Sequence, residues 1–380
     1  MSFVKSVFFL LLIGPIAAFS SQGEWSARMQ SLLVAFQNLA PYVYSPSSFE
    51  NPANRSKVEA EIASFAKLAK GVHGQSAGDG AMGKDPSLKV IAGRLETDAS
   101  EALSAFRSGN FSYSRYKLAR VSRDCFQCHS RNTSGPEFKD FNLKLHEATL
   151  KPSELADIYV ATRQFDRAIE VLQKTVASPE AAANERFEYQ RSVRNFLALA
   201  IRVKQDPKMA MSIVDQIAAN TGAPEYLKED ASYWRRSIER WQKETSRAPK
   251  PSLEKAKKLI AEGKASQEYP LDGHADVAYL RASAVLHELL DTTKASDKLA
   301  EAMYHLGRSY EVLSDIGQWF LQDSYFESCI RTAPKSKIAA RCYRRYELSQ
   351  LMGYSGSSGL NLPDSERERL KELRALAFGN

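Results

Sequence analysis

One five-residue motif, Cys125-Phe126-Gln127-Cys128-His129, has a spacing that points to a specific chemistry. In a helix, two thiols three positions apart lie on the same face, so both can form thioethers to the vinyl groups of one porphyrin. The imidazole of His129 follows at once and can ligate the iron on its proximal side. The motif therefore predicts one covalently attached haem c, held by Cys125 and Cys128, with His129 as the proximal iron ligand.

Two other chemistries use closely spaced cysteines. A thioredoxin-like redox pair lies between a strand and a helix, and no strand pattern precedes Cys125. A structural zinc site needs four ligands. Cys329 and Cys342 would have to complete it from a distant part of the chain. The haem interpretation is therefore preferred to both.

Haem attachment of this kind takes place outside the cytoplasm, and the N-terminus predicts export. Lys5 precedes an apolar run at 8–13, and Ala18 and Ser20 suit the −3 and −1 positions of a cleavage site. We expect residues 1–20 to be a signal peptide and the mature protein to be periplasmic. An uncleaved anchor is the alternative, although the run is shorter than the roughly 20 residues that a membrane span needs. No later stretch predicts a transmembrane helix.

Helical periodicity predicts four amphipathic helices in residues 21–135. The first is expected to end at Pro41, the second to close at 71–74 and the third to stop at Gly109, while the fourth carries the motif near its C-terminal end. The helix count and the position of the motif resemble the cytochrome c-prime family and its low-spin relatives. The resemblance covers about the first third of the chain and implies an up-down-up-down four-helix bundle. Because bundles of this family often dimerise, the resemblance also implies that the protein forms a homodimer.

The antiparallel order brings the start of the first helix and the ends of the second and fourth to one end of the bundle. Met29, His73 and His129 are therefore expected to lie there together. In the resembled family the distal residue occupies the position of Met29, which implies methionine as the sixth iron ligand. Met29 as an ordinary core residue is the alternative, and His73 and then Met82 are the other candidate ligands. If none binds, the iron is five-coordinate and open to nitric oxide or carbon monoxide.

Residues 136–150 are expected to form a linker, and 151–380 a second helical domain. Three segments show the spacing of tetratricopeptide repeats. They are Leu155, Ala156, Tyr159, Ala168 and Leu172; Leu197, Ala198, Ile201, Ala210 and Val214; and Leu306, Gly307, Tyr310, Tyr325, Phe326, Cys329 and Pro334. The spacing predicts a tetratricopeptide-like α-solenoid, whose concave surface would bind a partner protein or peptide. A helical domain without true repeats is the alternative.

Cys329 and Cys342 flank the turn at Pro334 in what we expect to be an antiparallel helix pair. An oxidising compartment permits a disulfide between them. Two buried free thiols are the alternative.

The predicted class is all-α, with a four-helix haem bundle followed by an α-solenoid-like domain. The favoured function is an exported monohaem c-type cytochrome that carries electrons and docks a partner through its helical domain. The alternatives are a haem-based gas or redox sensor and a scaffold with a structural haem. A peroxidase is disfavoured because only His73 could serve as its distal acid–base residue. The formal net charge is +7. The sequence nevertheless has no block of basic residues interleaved with aromatic ones, so we do not expect it to bind nucleic acid.

Overall fold

Most of the residues that the structure describes are helical. A computed structural model describes residues 17–76, 83–131, 138, 150–244, 251–269, 272–313 and 321–379, without the side chains of residues 17–24 and 73–76. These residues confirm the all-α class, because their strands are limited to one hairpin of two residues on each side. Most of the predicted signal peptide and most of the predicted linker lie outside the described residues.

The helices of the first region are α1 (Ala17–Val43), α2 (Pro46–Glu50), α3 (Arg55–Ser76), α4 (Pro86–Arg107) and α5 (Phe111–His129). The long helices α1, α3, α4 and α5 pack in chain order, and α1 also touches α5. Their apolar faces meet in one core that includes Phe36, Phe65, Leu95 and Val121.

The beginnings of α4 and α5 have clear local causes. Asp85 precedes α4, and its carboxylate accepts a hydrogen bond from the backbone N–H of Ser87. Pro86, at the first helical position, lacks the N–H that would otherwise be unsatisfied there. Asn110 caps α5 in the same way through the N–H of Tyr113.

The first two predicted helix ends were wrong. Helix α1 continues through Pro41 to Val43, and α3 continues through its glycines to Ser76. Proline removes one backbone hydrogen bond from a helix, but Pro41 lies in the last turn. There Ala40 and Val43 are fully buried, so packing outweighs that loss.

The second region begins with α6 (Pro152–Ala161), α7 (Phe165–Ala177), α8 (Pro179–Asn184), α9 (Arg186–Ala198), α10 (Pro207–Ala219), α11 (Glu225–Gln242) and α12 (Leu253–Ser266). It continues with α13 (Asp276–Thr292), α14 (Ser296–Val312), α15 (Leu321–Thr332), α16 (Lys337–Gly353), the hairpin β1 (Ser355–Gly356) and β2 (Gly359–Leu360), and α17 (Asp364–Phe378). Most consecutive helices pack against each other. The three predicted repeat segments fall mainly on α6 and α7, on α9 and α10, and on α14 and α15. Ile201 lies in a π-helical stretch, Leu199–Val203, that follows α9, and Pro334 lies just after α15.

Cys329 on α15 and Cys342 on α16 form a disulfide, with their Cα atoms 6.3 Å apart. Both residues are fully buried. Of the two alternatives that the sequence left open, the structure therefore has the disulfide. It closes a loop of 13 residues, for which the stabilisation is about 3 kcal/mol.

Among the described residues, several contacts join the two regions beside the candidate site, including that of His287 on α13 with Asp85. Helix α5 packs against α6, and α4 packs against α15. Within the described ranges, no helix is long and apolar enough to cross a membrane.

The close approach of α14 and α15 depends on Gly307. A Cβ at this position would lie 2.4 Å from the Phe326 ring. We expect Gly307→Ala to lower the free energy of unfolding by roughly 1–3 kcal/mol, because the two helices must separate. Gly353→Ala, at a helix end with no atom within 4 Å, is the control and should be neutral or slightly stabilising. Urea denaturation followed by circular dichroism measures both, and equal effects would contradict the packing described for α14 and α15.

Candidate functional site

A cavity of about 560 Å³ lies where the first region meets the second, a volume typical of small-molecule and cofactor sites. Much of its lining is apolar and comes from α1, α3, α4 and α5. These side chains include Trp25, Leu32, Leu33, Phe36, Phe65, Val72, Leu88, Ile91, Leu95 and Val121. Ala161, Arg163, His287 and Asp291 complete the wall from the second region. The cavity is therefore shared between the two regions.

Four of the residues singled out from the sequence line this one cavity: Met29, Cys125, Cys128 and His129. The last three lie in the final turns of α5. Met29 is almost 100 positions earlier in the chain, on α1, where it packs against the core. The fold thus brings a thioether sulfur, two thiols and an imidazole to the same apolar space.

His129 is the last residue of α5, and its Nδ1 lies 3.4 Å from the carbonyl oxygen of Val160. Burial, with a contribution from the charge of Arg163, lowers the pKa of His129 to about 4. The imidazole is therefore neutral at pH 7. A carbonyl can only accept, so the contact with Val160 favours the tautomer in which Nδ1 carries the proton and Nε2 has the lone pair. This is the tautomer that a metal-ligating histidine adopts when its other nitrogen is held by the backbone.

Cys125 and Cys128 are not joined to each other, and both are partly accessible because they face the cavity. Burial raises the pKa of both thiols, so they are protonated at neutral pH. A redox-active dithiol normally has the opposite shift. The zinc alternative loses two of its ligands because Cys329 and Cys342 form a disulfide. The described residues contain no group of three or more histidine, cysteine, aspartate or glutamate side chains that could hold a metal ion.

The other candidate iron ligands differ in what the structure shows of them. His73 lies on α3, but its side chain is outside the described residues, as is all of Met82. His287 of α13 lines the cavity. Its two nitrogens, however, are close to other groups: Nδ1 lies 2.9 Å from Asp85 Oδ2, and Nε2 lies 3.0 Å from the Tyr310 hydroxyl.

A buried polar network joins the two regions beside the cavity. Arg131 Nη1 donates to Asp85 Oδ2 at 2.7 Å and to the hydroxyl of Tyr325 at 2.9 Å. The Tyr325 hydroxyl in turn donates to Asp85 Oδ1 at 2.8 Å. The side chains of Arg131 and Asp85 are only 4% and 8% exposed. Burial alone would raise the pKa of Asp85, but Arg131 and His287 lower it well below its ordinary range.

Asp124 is a second buried carboxyl on the cavity wall. It is 5% exposed, and its Oδ2 has no hydrogen-bond partner among the described residues. Burial raises the pKa of Asp124 to about 7, with Arg94 opposing the rise and Asp98 adding to it. The carboxyl therefore loses its proton near neutral pH rather than near pH 4.

Comparisons with known proteins do not assign the chain to a family. No protein-family model matches it, and no curated protein and no solved structure is significantly similar to it.

The sequence did not identify the polar part of the site. Asp85 and Arg163 were missed. From the sequence, Arg131 flanks the motif and is either a partner of a haem propionate or a solvated charge, and His287 is one of several scattered histidines that could reach the iron only if the two regions pack together. The one local signal was Asp85 before Pro86, which predicts a helix cap. Nothing in the sequence relates Asp85 to His287 or Tyr325, which lie more than 200 positions later.

We expect Asp85→Asn to lower the free energy of unfolding by about 3–5 kcal/mol, because it leaves the buried Arg131 guanidinium without a counter-charge. Tyr325→Phe is the matched variant. It keeps both charges and removes one hydroxyl from the network, for a loss of about 1–2 kcal/mol. Urea denaturation monitored by tryptophan fluorescence measures both. A smaller effect for Asp85→Asn than for Tyr325→Phe would show that the ion pair does not hold the regions together.

Asp124→Asn is expected to change how stability depends on pH. Because the pKa of Asp124 is higher in the folded protein than in the unfolded chain, the protonated carboxyl stabilises the fold below pH 4. This stabilisation is lost as the pH rises through about 7. Asparagine does not titrate. The free energy of unfolding of the variant, measured relative to that of the wild type, should therefore rise by up to about 4 kcal/mol between pH 4 and pH 8. Denaturation at a series of pH values measures the gain. Asp297→Asn, at an exposed position, is the control, and a parallel profile for the two variants would contradict the assignment.

Proposed function

We propose that this protein is an exported monohaem c-type cytochrome that carries electrons, with a second helical region that docks a partner protein or peptide. One observation carries the proposal. Met29, Cys125, Cys128 and His129, which the sequence singles out for haem chemistry, line the same cavity. For Met29 this convergence depends on the packing of α1 in the tertiary fold.

The residues of the cavity fit a covalently held haem. Cys125 and Cys128 face the same space as protonated thiols, in position to form thioethers with one porphyrin. His129 offers Nε2 of a neutral imidazole as the proximal ligand. Met29 offers a sulfur from a different helix. The apolar lining suits a porphyrin face, and the volume of about 560 Å³ is in the range of cofactor sites.

When bound, a haem iron accepts and releases a single electron, and it binds small gases when its sixth position is open. The chain's own residues would set which of these occurs. Val160 fixes the orientation of His129 through its carbonyl. The apolar side chains around the cavity exclude water, which strengthens the effect of nearby charges on the iron. Met29 as a ligand would favour electron transfer over gas binding.

We also propose the finer architecture. Helices α1, α3, α4 and α5 form a four-helix bundle like that of the cytochrome c-prime family, and their order of packing supports this. Helices α6–α17 form a tetratricopeptide-like solenoid, supported by the three helix pairs at the predicted repeats. The buried disulfide between Cys329 and Cys342 supports an oxidising, periplasmic location.

A haem-based sensor is the second candidate, and a specific feature favours it. The second region supplies part of the cavity wall, and the network of Asp85, Arg131 and Tyr325 connects that wall to the end of α5, two residues after His129. A change in the iron ligation of His129 would therefore alter the second region, which docks the partner, through these buried contacts.

The deciding experiment is the absorption spectrum of the full-length chain after export alongside a c-type haem maturation system. We expect a haem that stays with the polypeptide under denaturing conditions, and a sharp low-spin reduced spectrum that carbon monoxide does not change. Met29→Ala should give a high-spin spectrum that responds to carbon monoxide. Met209→Ala is the control, because Met209 is half-buried in the same core but does not line the cavity.

A count of free thiols gives an independent test. Because Cys329 and Cys342 are bonded to each other, the unfolded, unreduced haem protein should expose no thiol, and the haem-free chain should expose two. A wild type without covalent haem would refute the proposed function. A high-spin wild type that binds carbon monoxide would favour the sensor.

A further inference from the structure

One accessible line of side chains runs along α14 in the second region. Its members recur at helical spacing on one face of the helix, while the residues between them are buried. They are Glu301, Tyr304, Arg308 and Glu311, and we call them the α14 stripe. At 1.5 Å per residue the stripe is about 15 Å long.

Basic side chains from two other helices lie beside the stripe, because α12 and α16 both contact α14. Lys257 of α12 forms an ion pair with Glu301. Arg345 of α16 donates from Nε to Glu311 at 2.8 Å. The side chains of Lys257 and Arg345 are still 43% and 31% exposed. Ion pairs as open to water as these contribute little, so a ligand can compete for them at low cost.

Arg341, also on α16, lies over the ring of Tyr304, with its guanidinium 4.2 Å from the ring centroid. A ring contact engages the face of a guanidinium and leaves the N–H groups at its edge for other partners. Arg341 is exposed and forms no ion pair with any residue that the structure describes. A planar guanidinium held in this way is well suited to bind a carboxylate through two parallel hydrogen bonds.

The charges around the stripe do not balance. Arg308 and Arg345 share the single carboxylate of Glu311. Four basic side chains therefore meet two carboxylates on this surface. The basic ones are Lys257, Arg308, Arg341 and Arg345, and the acidic ones are Glu301 and Glu311. An excess of positive charge attracts an acidic partner and speeds its association.

We propose that the α14 stripe binds an acidic peptide segment of the partner protein in an extended conformation. The inference deepens the docking role of the second region and rests on that part of the proposed function. A stripe of about 15 Å takes roughly four to five extended residues. Carboxylates of the segment bind Arg308 and Arg341, and its backbone N–H groups donate to Glu301 and Glu311. A nucleic acid suits this surface less well, because its continuous phosphates would repel both glutamates.

The stripe is close to the candidate site. Tyr310 lies on the buried side of α14, where its hydroxyl is 3.0 Å from Nε2 of His287. Its ring centroid is 5.5 Å from the guanidinium of Arg131. The width of one helix, about 10 Å, therefore separates a segment docked on the stripe from the polar network beside the cavity.

The test measures binding to the full-length, haem-loaded protein by fluorescence anisotropy. The probe is a fluorescein-labelled peptide of alternating aspartate and glutamate, and its counterpart of asparagine and glutamine is the control. We expect only the acidic peptide to bind, and more weakly as the salt concentration rises. Arg341→Gln should weaken its binding about fivefold, because one exposed ion pair is lost.

Glu301→Gln separates direct recognition from a structural effect. It removes a like charge from the stripe, so the acidic peptide should bind about fivefold more tightly. A merely structural role for Glu301 would leave the affinity unchanged or lower it. Arg331→Gln is the matched control, because Arg331 is an exposed arginine that pairs with Glu327 and Glu372, away from the stripe. Its affinity should equal that of the wild type.

Failure of the acidic peptide to bind, or equal binding by the wild type and Arg341→Gln, would overturn this inference. Equally tight binding of a single-stranded oligodeoxynucleotide of the same length would also overturn it, in favour of a general polyanion site. The absorption spectrum of the same sample reports the haem separately. A protein with covalent haem that does not bind the peptide loses this inference alone. One that binds the peptide without haem loses the cytochrome proposal and keeps this inference.

Discussion

The buried ion pair between Asp85 and Arg131 is the interaction on which the rest of the site depends. Removing two charges from water is expensive, and the attraction between them offsets that cost only when further hydrogen bonds surround them. Here Ser87 and Tyr325 supply those bonds. They can do so only if the start of α4, the end of α5 and α15 are docked together. The network therefore specifies one relative placement of the two regions, and with it the shape of the cavity.

The second region is therefore also part of the candidate site. The cavity wall contains Arg163 and His287, and the backbone of Val160 orients His129. In a bundle that stood alone, these positions would be open to water. The second region thus acts as a cover that lowers the local dielectric around the motif. Any group bound there would be sensitive to how the second region is held, whichever of the two proposed functions is correct.

The parts of this structure that the sequence predicts are those with a local or periodic signature. The 3.6-residue period of apolar side chains located α3, α4 and α5, and the antiparallel order of the helices predicted that Met29 and His129 would lie at the same end. The helix end at Pro41 was misjudged because tertiary packing outweighs a local propensity. The polar network could not be predicted, because partners such as Asp85 and His287 are distant in sequence and carry no shared pattern. The assignment of haem ligands stays a prediction.

The balance of charge around the cavity favours one kind of occupant. Asp85 and Arg131 neutralise each other, and the raised pKa of Asp124 leaves its carboxyl only partly ionised at pH 7. Asp291 is exposed, so water and salt screen its charge. Arg163 adds a positive charge to this wall, with its guanidinium 6.0 Å from the centroid of the Phe165 ring. Because the charges of Asp85 and Arg131 offset each other and most of the lining is apolar, the cavity suits a largely apolar group.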